Sequence, residues 1–222
     1  VPKGTTGPAH EAVPPDGPAP GVVPGGLAPE PQGGPALREQ DAFVGRTDEL
    51  DELRRLLERG ARLVTVTGPG GAGKTRLVVH AMNTRIIGGG ALRFCDVAGA
   101  ATEDDLCRAV AGVLGDSTKP SAETEAIGEA LEAAGPLLLV LDTFDRLVPH
   151  AAATIGRWLE RAGRLTIIVT SREAAKLVGE HCLPVHGLHP EEAVALFIDR
   201  ARQARGAAAL AGWPAAILEA VV

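Results

Sequence analysis

A glycine-rich run between a predicted strand and a predicted helix constrains this chain more than any other feature. Residues 68–75 read GPGGAGKT and match the pattern G-x4-G-K-[ST]. The residues just before the run (63–67, LVTVT) predict a strand, and a helix is predicted over about 74–85. Small residues let backbone amides curl around phosphate oxygens, and the positive end of the following helix points at them. The run is therefore predicted to cradle the phosphates of a nucleotide.

Individual positions in the run have distinct expected roles. Lys74 would reach the β- and γ-phosphates, and the Thr75 hydroxyl would bind Mg2+. The other positions expected to contact the phosphates are Gly68, Gly70, Gly71, Ala72, Gly73 and Arg76. A glycine-rich turn that only packs is the alternative, but a strand before the run and a helix after it favour phosphate binding.

Apolar strands alternate with amphipathic helices along the rest of the chain. We predict strands at 91–97, 137–141, 165–169 and, more briefly, 183–185, and helices at 48–59, 102–114, 121–134, 152–162 and 191–205. Thr47 is the expected N-cap of the first helix, and Thr102 with Asp105 is the expected capping box of the third. This alternation is typical of an α/β fold with a parallel sheet and crossover helices.

Charged residues follow two of the buried strands. Asp142 ends the run LLLVL and would hold Mg2+. Asp145 would polarise the attacking water, or is simply an exposed acid that starts a turn. Arg172 follows the strand at 165–169 and would contact the γ-phosphate, or is a surface arginine that caps a helix. Because parallel strands end at one edge of a sheet, these groups are expected in one crevice.

Composition separates the first 40 residues from the rest. Ten of the 17 prolines lie in residues 1–35, so residues 1–40 are expected to be a disordered Pro/Gly-rich linker. The net charge of -6 and the 3% aromatic content argue against direct nucleic-acid binding. No apolar run is long enough for a membrane span. Because the chain opens on Val without a signal peptide, we expect an internal piece of a longer cytoplasmic protein.

Five ordered motifs resemble one family. FVGRTDEL (43–50), GPGGAGKT (68–75), LLLVLDTFDRL (137–147), TIIVTSRE (166–173) and LHPEEAVALF (188–197) are similar to the NB-ARC, or AP-ATPase, branch of the STAND signal-transduction ATPases. The resemblance implies a P-loop NTPase fold, a three-layer αβα sandwich on a five-stranded parallel sheet of order 5-1-4-3-2. The core would occupy 41–190, and 191–222 would begin a truncated or shortened helical lid.

The same resemblance implies a ligand and a mode of action. Val44 and Arg46 would lie against the base, and Pro214 of the GWPA stretch would touch adenine. Such domains bind ATP or ADP with Mg2+ and act as switches, because ADP holds a closed form and ATP allows opening and self-association. Bacterial members are parts of large transcriptional regulators. Thr143 departs from the family, which has Asn or Asp at that position, and this leaves the second acidic role to Asp145.

Three functions are compatible with these residues. The first is a nucleotide switch with slow ATP hydrolysis. The second is a nucleotide-dependent scaffold without turnover, which Thr143 and the short tail favour. The third is a small-molecule kinase, but that function needs an Arg-bearing lid and an acceptor site, and the sequence has a motif for neither.

Overall fold

The computed structural model describes residues 43–87, 90–115 and 123–205. The predicted linker and the tail with Pro214 lie outside these residues. The five strands are β1 (Leu63–Thr67), β2 (Ala91–Asp96), β3 (Leu137–Asp142), β4 (Leu165–Ser171) and β5 (Glu180–Pro184). The helices are α1 (Thr47–Glu58), α2 (Lys74–Asn83), α3 (Glu103–Leu114), α4 (Thr124–Ala133), α5 (Arg157–Arg161) and α6 (Pro190–Arg205).

All five strands are parallel, in the order β2-β3-β4-β1-β5. Read from the other edge, this is the predicted order 5-1-4-3-2, so the predicted fold class is confirmed. β3 and β4 are central and almost wholly buried, as their uninterrupted apolar sequences predict. The order brings the ends of β1, β3 and β4 to one edge of the sheet.

The sheet separates two hydrophobic cores. Leu139 and Leu141 of β3 pack on one face, together with Trp158 of α5 and residues of α3 and α4. Leu138 and Val140 pack on the other face, against residues of α1 and α2. Because successive side chains of a strand point to opposite faces, one apolar strand supplies both cores. The result is the three-layer sandwich that the sequence predicts.

Two local predictions need correction and one is confirmed. Thr47 is the first residue of α1 and not its N-cap, since Arg46 precedes the helix in a left-handed conformation with φ 65°. The predicted single helix at 152–162 begins with a π-helical turn at Ala152–Gly156, in which Gly156 N donates to Ala151 O at 3.0 Å. The capping box of α3 is confirmed, because Asp105 N donates to Thr102 Oγ1 at 3.2 Å and Thr102 N donates to Asp105 Oδ2 at 3.1 Å.

The capping box also favours the ionised form of its acid. The Thr102 hydrogen bond, and then that of Ala101, lower the pKa of Asp105.

Within the described ranges, no helix is both long and apolar enough to cross a membrane.

Candidate functional site

The glycine-rich loop leaves β1 beside the end of β5. Val185 N donates to Thr67 O at 2.7 Å, and a Cβ on Gly68 would lie 2.2 Å from Val185 O. Gly71 and Gly73 have φ of 79° and 89°, which glycine adopts freely. A Cβ on Gly70, Gly71 or Gly73 would meet no described atom within 4 Å. The loop therefore leaves its backbone open at these three glycines, which fits a phosphate chain.

Lys74 and Thr75 open α2 directly after this loop. Lys74 Nζ donates to Gly68 O at 2.9 Å and to Pro69 O at 3.0 Å, so its charge lies over the mouth of the loop. Thr75 Oγ1 donates to Asp142 Oδ1 at 2.7 Å. This contact joins the first turn of α2 to the end of β3, across 67 residues of chain.

The Asp142 carboxylate is held by threonine hydroxyls from three segments. Its side chain is buried, and Oδ1 also accepts from Thr170 Oγ1 at 2.6 Å. Oδ2 accepts from Thr143 Oγ1 at 3.2 Å, and Thr143 N donates to Thr170 Oγ1 at 2.9 Å. Thr143 has φ 64°, an unusual value for a β-branched residue. The carboxylate orientation is thus fixed by its neighbours, and the hydroxyl and carboxylate oxygens of Thr75 and Asp142 are of the kind that Mg2+ prefers.

Asp145 and Arg172 meet on the loops that follow β3 and β4. Arg172 N donates to Asp145 Oδ1 at 2.7 Å, and Arg172 Nε lies 3.6 Å from the same oxygen. The guanidinium is 73% exposed, so it can turn toward a ligand in the crevice. The structure therefore brings both sequence-predicted residues together through the Arg172 backbone.

A cavity of about 380 Å3 lies beside the glycine-rich loop. Its lining includes the predicted base-contacting residues Val44 and Arg46, the loop residues 71–73, Arg76, and the apolar residues Phe43, Leu188, Ala193 and Leu196. Ligand pockets of proteins occupy roughly 300–1,000 Å3. The cavity is mostly apolar and concave, as the face of a nucleobase requires.

Arg46 ties together the segments that enclose this cavity. Its guanidinium is buried, and it donates to Ala72 O at 2.8 Å, to His186 O at 2.6 Å and to Glu49 Oε1 at 2.7 Å. These bonds connect the residues before α1, the glycine-rich loop and the segment that leads from β5 to α6. A large share of the Arg46 hydrogen-bonding capacity therefore serves the protein itself.

Four residues at the site were not singled out from the sequence. Thr170 lies beside the predicted Arg172, within the same TSR motif, and only its strand position explains its contact with Asp142. The Phe43 ring stacks on His80 of α2, with ring centroids 3.9 Å apart and planes 7° from parallel. Leu188 and Leu196 lie in the motif at 188–197, whose residues had no assigned role. For Phe43, its place as the first residue of the FVGR motif was the sequence signal that could have identified it.

Burial perturbs the described thiols. Burial, and then the charge of Asp96, raise the pKa of Cys95 to about 12. Burial likewise raises the pKa of Cys107 and Cys182. A higher pKa lowers the thiolate fraction near neutral pH, which makes these thiols poorer nucleophiles.

Comparisons with known proteins bear on the whole described region. The model of a family described as AAA ATPase domain matches residues 42–209. The uncharacterized protein Rv0894 of Mycobacterium tuberculosis (strain ATCC 25618 / H37Rv) is 38% identical over 177 residues, which cover 76% of this chain and 43% of that protein. Rv0890c of the same strain, named as a predicted HTH-type transcriptional regulator, is 33% identical over 150 residues, or 67% of this chain and 17% of that protein.

A solved structure supports the fold. The Walker-type ATPase PABY2304 of Pyrococcus abyssi aligns with a TM-score of 0.58 and 17% identity, over 87% of this chain and 65% of that one. The chain spans less than half the length of the curated relatives described above.

Proposed function

The chain belongs to the AAA ATPase domain family, and on that premise we propose that it is an ATP/ADP-binding switch module of the NB-ARC type with slow, Mg-dependent ATP hydrolysis. One observation carries the proposal. The Thr75 hydroxyl, at the start of the helix after the glycine-rich loop, donates at 2.7 Å to the buried Asp142 carboxylate. Phosphoryl transfer depends mainly on positioning and charge neutralisation, so a pre-arranged pair of this kind is what the reaction needs.

The residues divide the work between binding and sensing. The bare backbone of the loop would hold the phosphate chain, Lys74 would neutralise its terminal charge, and Thr75 with Asp142 would hold Mg2+. When bound, Mg2+ draws charge from the β- and γ-phosphate oxygens. Arg172 would sense the γ-phosphate from the end of β4, with its backbone anchored on Asp145.

The switch would act through α6. Ala193 and Leu196 of α6 share one cavity with Val44, Arg46 and the glycine-rich loop, so a base in that cavity contacts both the core and the first lid helix. A ligand shifts a conformational equilibrium only by its different affinity for the two arrangements. We propose that ADP favours the arrangement in which α6 covers the cavity, and that ATP favours opening and self-association.

The wider role rests on the relatives. Because one relative is named as a predicted HTH-type transcriptional regulator, we propose that the switch belongs to a longer cytoplasmic bacterial regulator. In that setting its partners are the nucleotide, other domains of the parent chain and further copies of itself. The low aromatic content and acidic charge argue against DNA binding by these residues. We therefore propose that another domain of the parent chain binds DNA and that this switch regulates it.

The test is the nucleotide that the purified chain retains. After denaturation, we expect chromatography to find about one ADP per chain in the wild type and almost none in Lys74→Ala. Lys176→Ala is the matched control, because Lys176 is an exposed lysine on the loop before β5. A wild-type chain that retains no nucleotide, and whose unfolding temperature does not rise with Mg-ATP or ADP, would reject the proposal.

A scaffold without turnover remains the second candidate, and Thr143 favours it. The Thr143 hydroxyl is engaged with Asp142 and cannot act as an acid or base near neutral pH. Steady-state phosphate release that is present in the wild type and vanishes in Asp142→Asn would reject the scaffold. Bound ADP without any phosphate release would favour it.

A further inference from the structure

We infer that Asp96 orients the attacking water in ATP hydrolysis, an inference that rests on the proposed function. Thr143, the residue after Asp142, does not provide this role. In this step the water oxygen bonds to the γ-phosphorus as the bond from that phosphorus to the β,γ-bridging oxygen breaks. The water proton passes to the Asp96 carboxylate and then to the released phosphate. The products are ADP and inorganic phosphate, so the carboxylate is regenerated.

Strand register places Asp96 beside Asp142. β2 and β3 pair in parallel with Asp96 directly opposite Asp142, and the register of β3 with β4 pairs Leu141 with Val169, one residue before Thr170. Neighbouring strands lie about 4.8 Å apart. Asp96, Asp142 and Thr170 therefore form one polar row across the carboxyl edge of the sheet, which we call the edge row.

The edge row faces the glycine-rich loop. Phe94, Val140 and Ile168, two residues before each member of the row, all pack in the core that includes α2. Residues two apart on a strand share a face, so the edge row lies on the α2 side of the sheet. The Thr75–Asp142 bond brings the first turn of α2 over β3, one strand away from Asp96. A γ-phosphate bound beyond Thr75 would therefore lie on the same side of the sheet as Asp96.

Asp96 also has accepting capacity that Asp142 has spent. Asp142 accepts from the hydroxyls of Thr75, Thr143 and Thr170. Asp145 is tied through Oδ1 to the Arg172 backbone and lies on the loop after β3, outside the edge row. Within the described part of the chain, the one hydrogen bond to the exposed Asp96 carboxylate comes from Ala98 N, at 2.9 Å to Oδ1. That bond fixes the side chain and leaves Oδ2 to accept from a water.

The test compares Asp96 with a second exposed acid in the full chain. Asp96→Asn keeps an oxygen that accepts from Ala98 N but removes the proton acceptor, so we expect phosphate release to fall by about 100-fold. ADP affinity and the unfolding temperature should stay at wild-type values, and Asp96→Glu should retain more activity than Asp96→Asn. Asp104→Asn, an exposed acid of α3, is the matched control with unchanged release.

Failure of this inference differs from failure of the proposed function. A wild-type chain that binds no nucleotide would reject the proposed function. A chain that binds nucleotide and releases phosphate equally well in wild type and Asp96→Asn would overturn only the role of Asp96. Bound nucleotide without any wild-type turnover would also overturn that role. A larger loss in Asp145→Asn than in Asp96→Asn, at unchanged ADP affinity, would transfer the role to Asp145.

Discussion

The edge row around Asp142 and the cavity beside the glycine-rich loop are built in different ways. At the edge row, short hydrogen bonds of 2.6–3.2 Å fix a buried carboxylate. At the cavity, apolar side chains and backbone enclose about 380 Å3, and the buried Arg46 bonds to the protein itself. Phosphate and Mg2+ need charge at exact positions, whereas a nucleobase face needs apolar area.

This difference predicts different costs of mutation. A polar network loses much when one member is removed, because the remaining groups stay buried without partners. An apolar wall loses only the contact area that is removed. Substitutions of the buried members of the edge row, Asp142 and Thr170, should therefore affect folding and hydrolysis, whereas substitutions in the cavity should affect mainly nucleotide affinity.

The largest effect is expected at Gly68, where the glycine-rich loop approaches the segment that follows β5. Gly68→Val would place a Cβ about 2.2 Å from Val185 O, between the glycine-rich loop and the segment that leads to the cavity. Because that oxygen is backbone, both segments must move, and we expect a loss of about 3 kcal/mol in the free energy of unfolding. Urea denaturation measures it. Gly70→Ala is the control, since no described atom lies within 4 Å of its Cβ; equal stability of the two variants would contradict the close approach.

A smaller effect is expected at Thr170. Thr170→Val keeps the shape but removes the hydroxyl that donates to Asp142 and accepts from Thr143 N. Both partners lose a bond at a buried site, so we expect a loss of about 2 kcal/mol in the free energy of unfolding. Urea denaturation is again the measurement, and phosphate release should fall with it.

Thr65 supplies a matched control for this prediction. It is fully buried in β1, and among the described residues its hydroxyl has no hydrogen-bond partner. Thr65→Val should therefore stabilise the chain by about 1 kcal/mol. If the two valine variants changed stability by the same amount and sign, the edge row would not be a coupled network.

The two regions also differ in how far the sequence predicts them. Thr75 and Asp142 were predictable because each belongs to a local pattern. Thr75 ends the loop motif, and Asp142 is the acid that follows an apolar strand. The sheet order came with the resemblance and is confirmed. The row that joins Asp96 to Asp142 depends on strand register, which only the paired strands define.

The cavity was less predictable because its walls come from distant segments. Val44 and Arg46 were expected at the base, but the Arg46 bonds to Ala72 and His186 depend on how β5 returns beside β1. Phe43, Leu188 and Leu196 are ordinary apolar residues in the sequence, and only their packing makes them a wall. The left-handed conformation of Arg46, which displaced the expected N-cap, belongs to the same tertiary arrangement.

The smallest effect is expected at Phe43, and it tests whether the cavity binds the base. Phe43→Ala removes one wall and the ring stacked on His80. We expect ADP to bind about fivefold more weakly, which corresponds to ~1 kcal/mol and is typical of a lost aromatic contact. Isothermal titration with ADP and with inorganic pyrophosphate measures the effect.

Pyrophosphate provides the internal control, because it lacks a base and should bind Phe43→Ala and wild type equally. Phe43→Leu keeps an apolar wall without the stacked ring, so its ADP affinity should lie between those of the wild type and Phe43→Ala. A loss of pyrophosphate affinity equal to the loss of ADP affinity would show that Phe43 supports the glycine-rich loop and not the base. In that case the polar and apolar regions would act as one unit, and the division between them would fail.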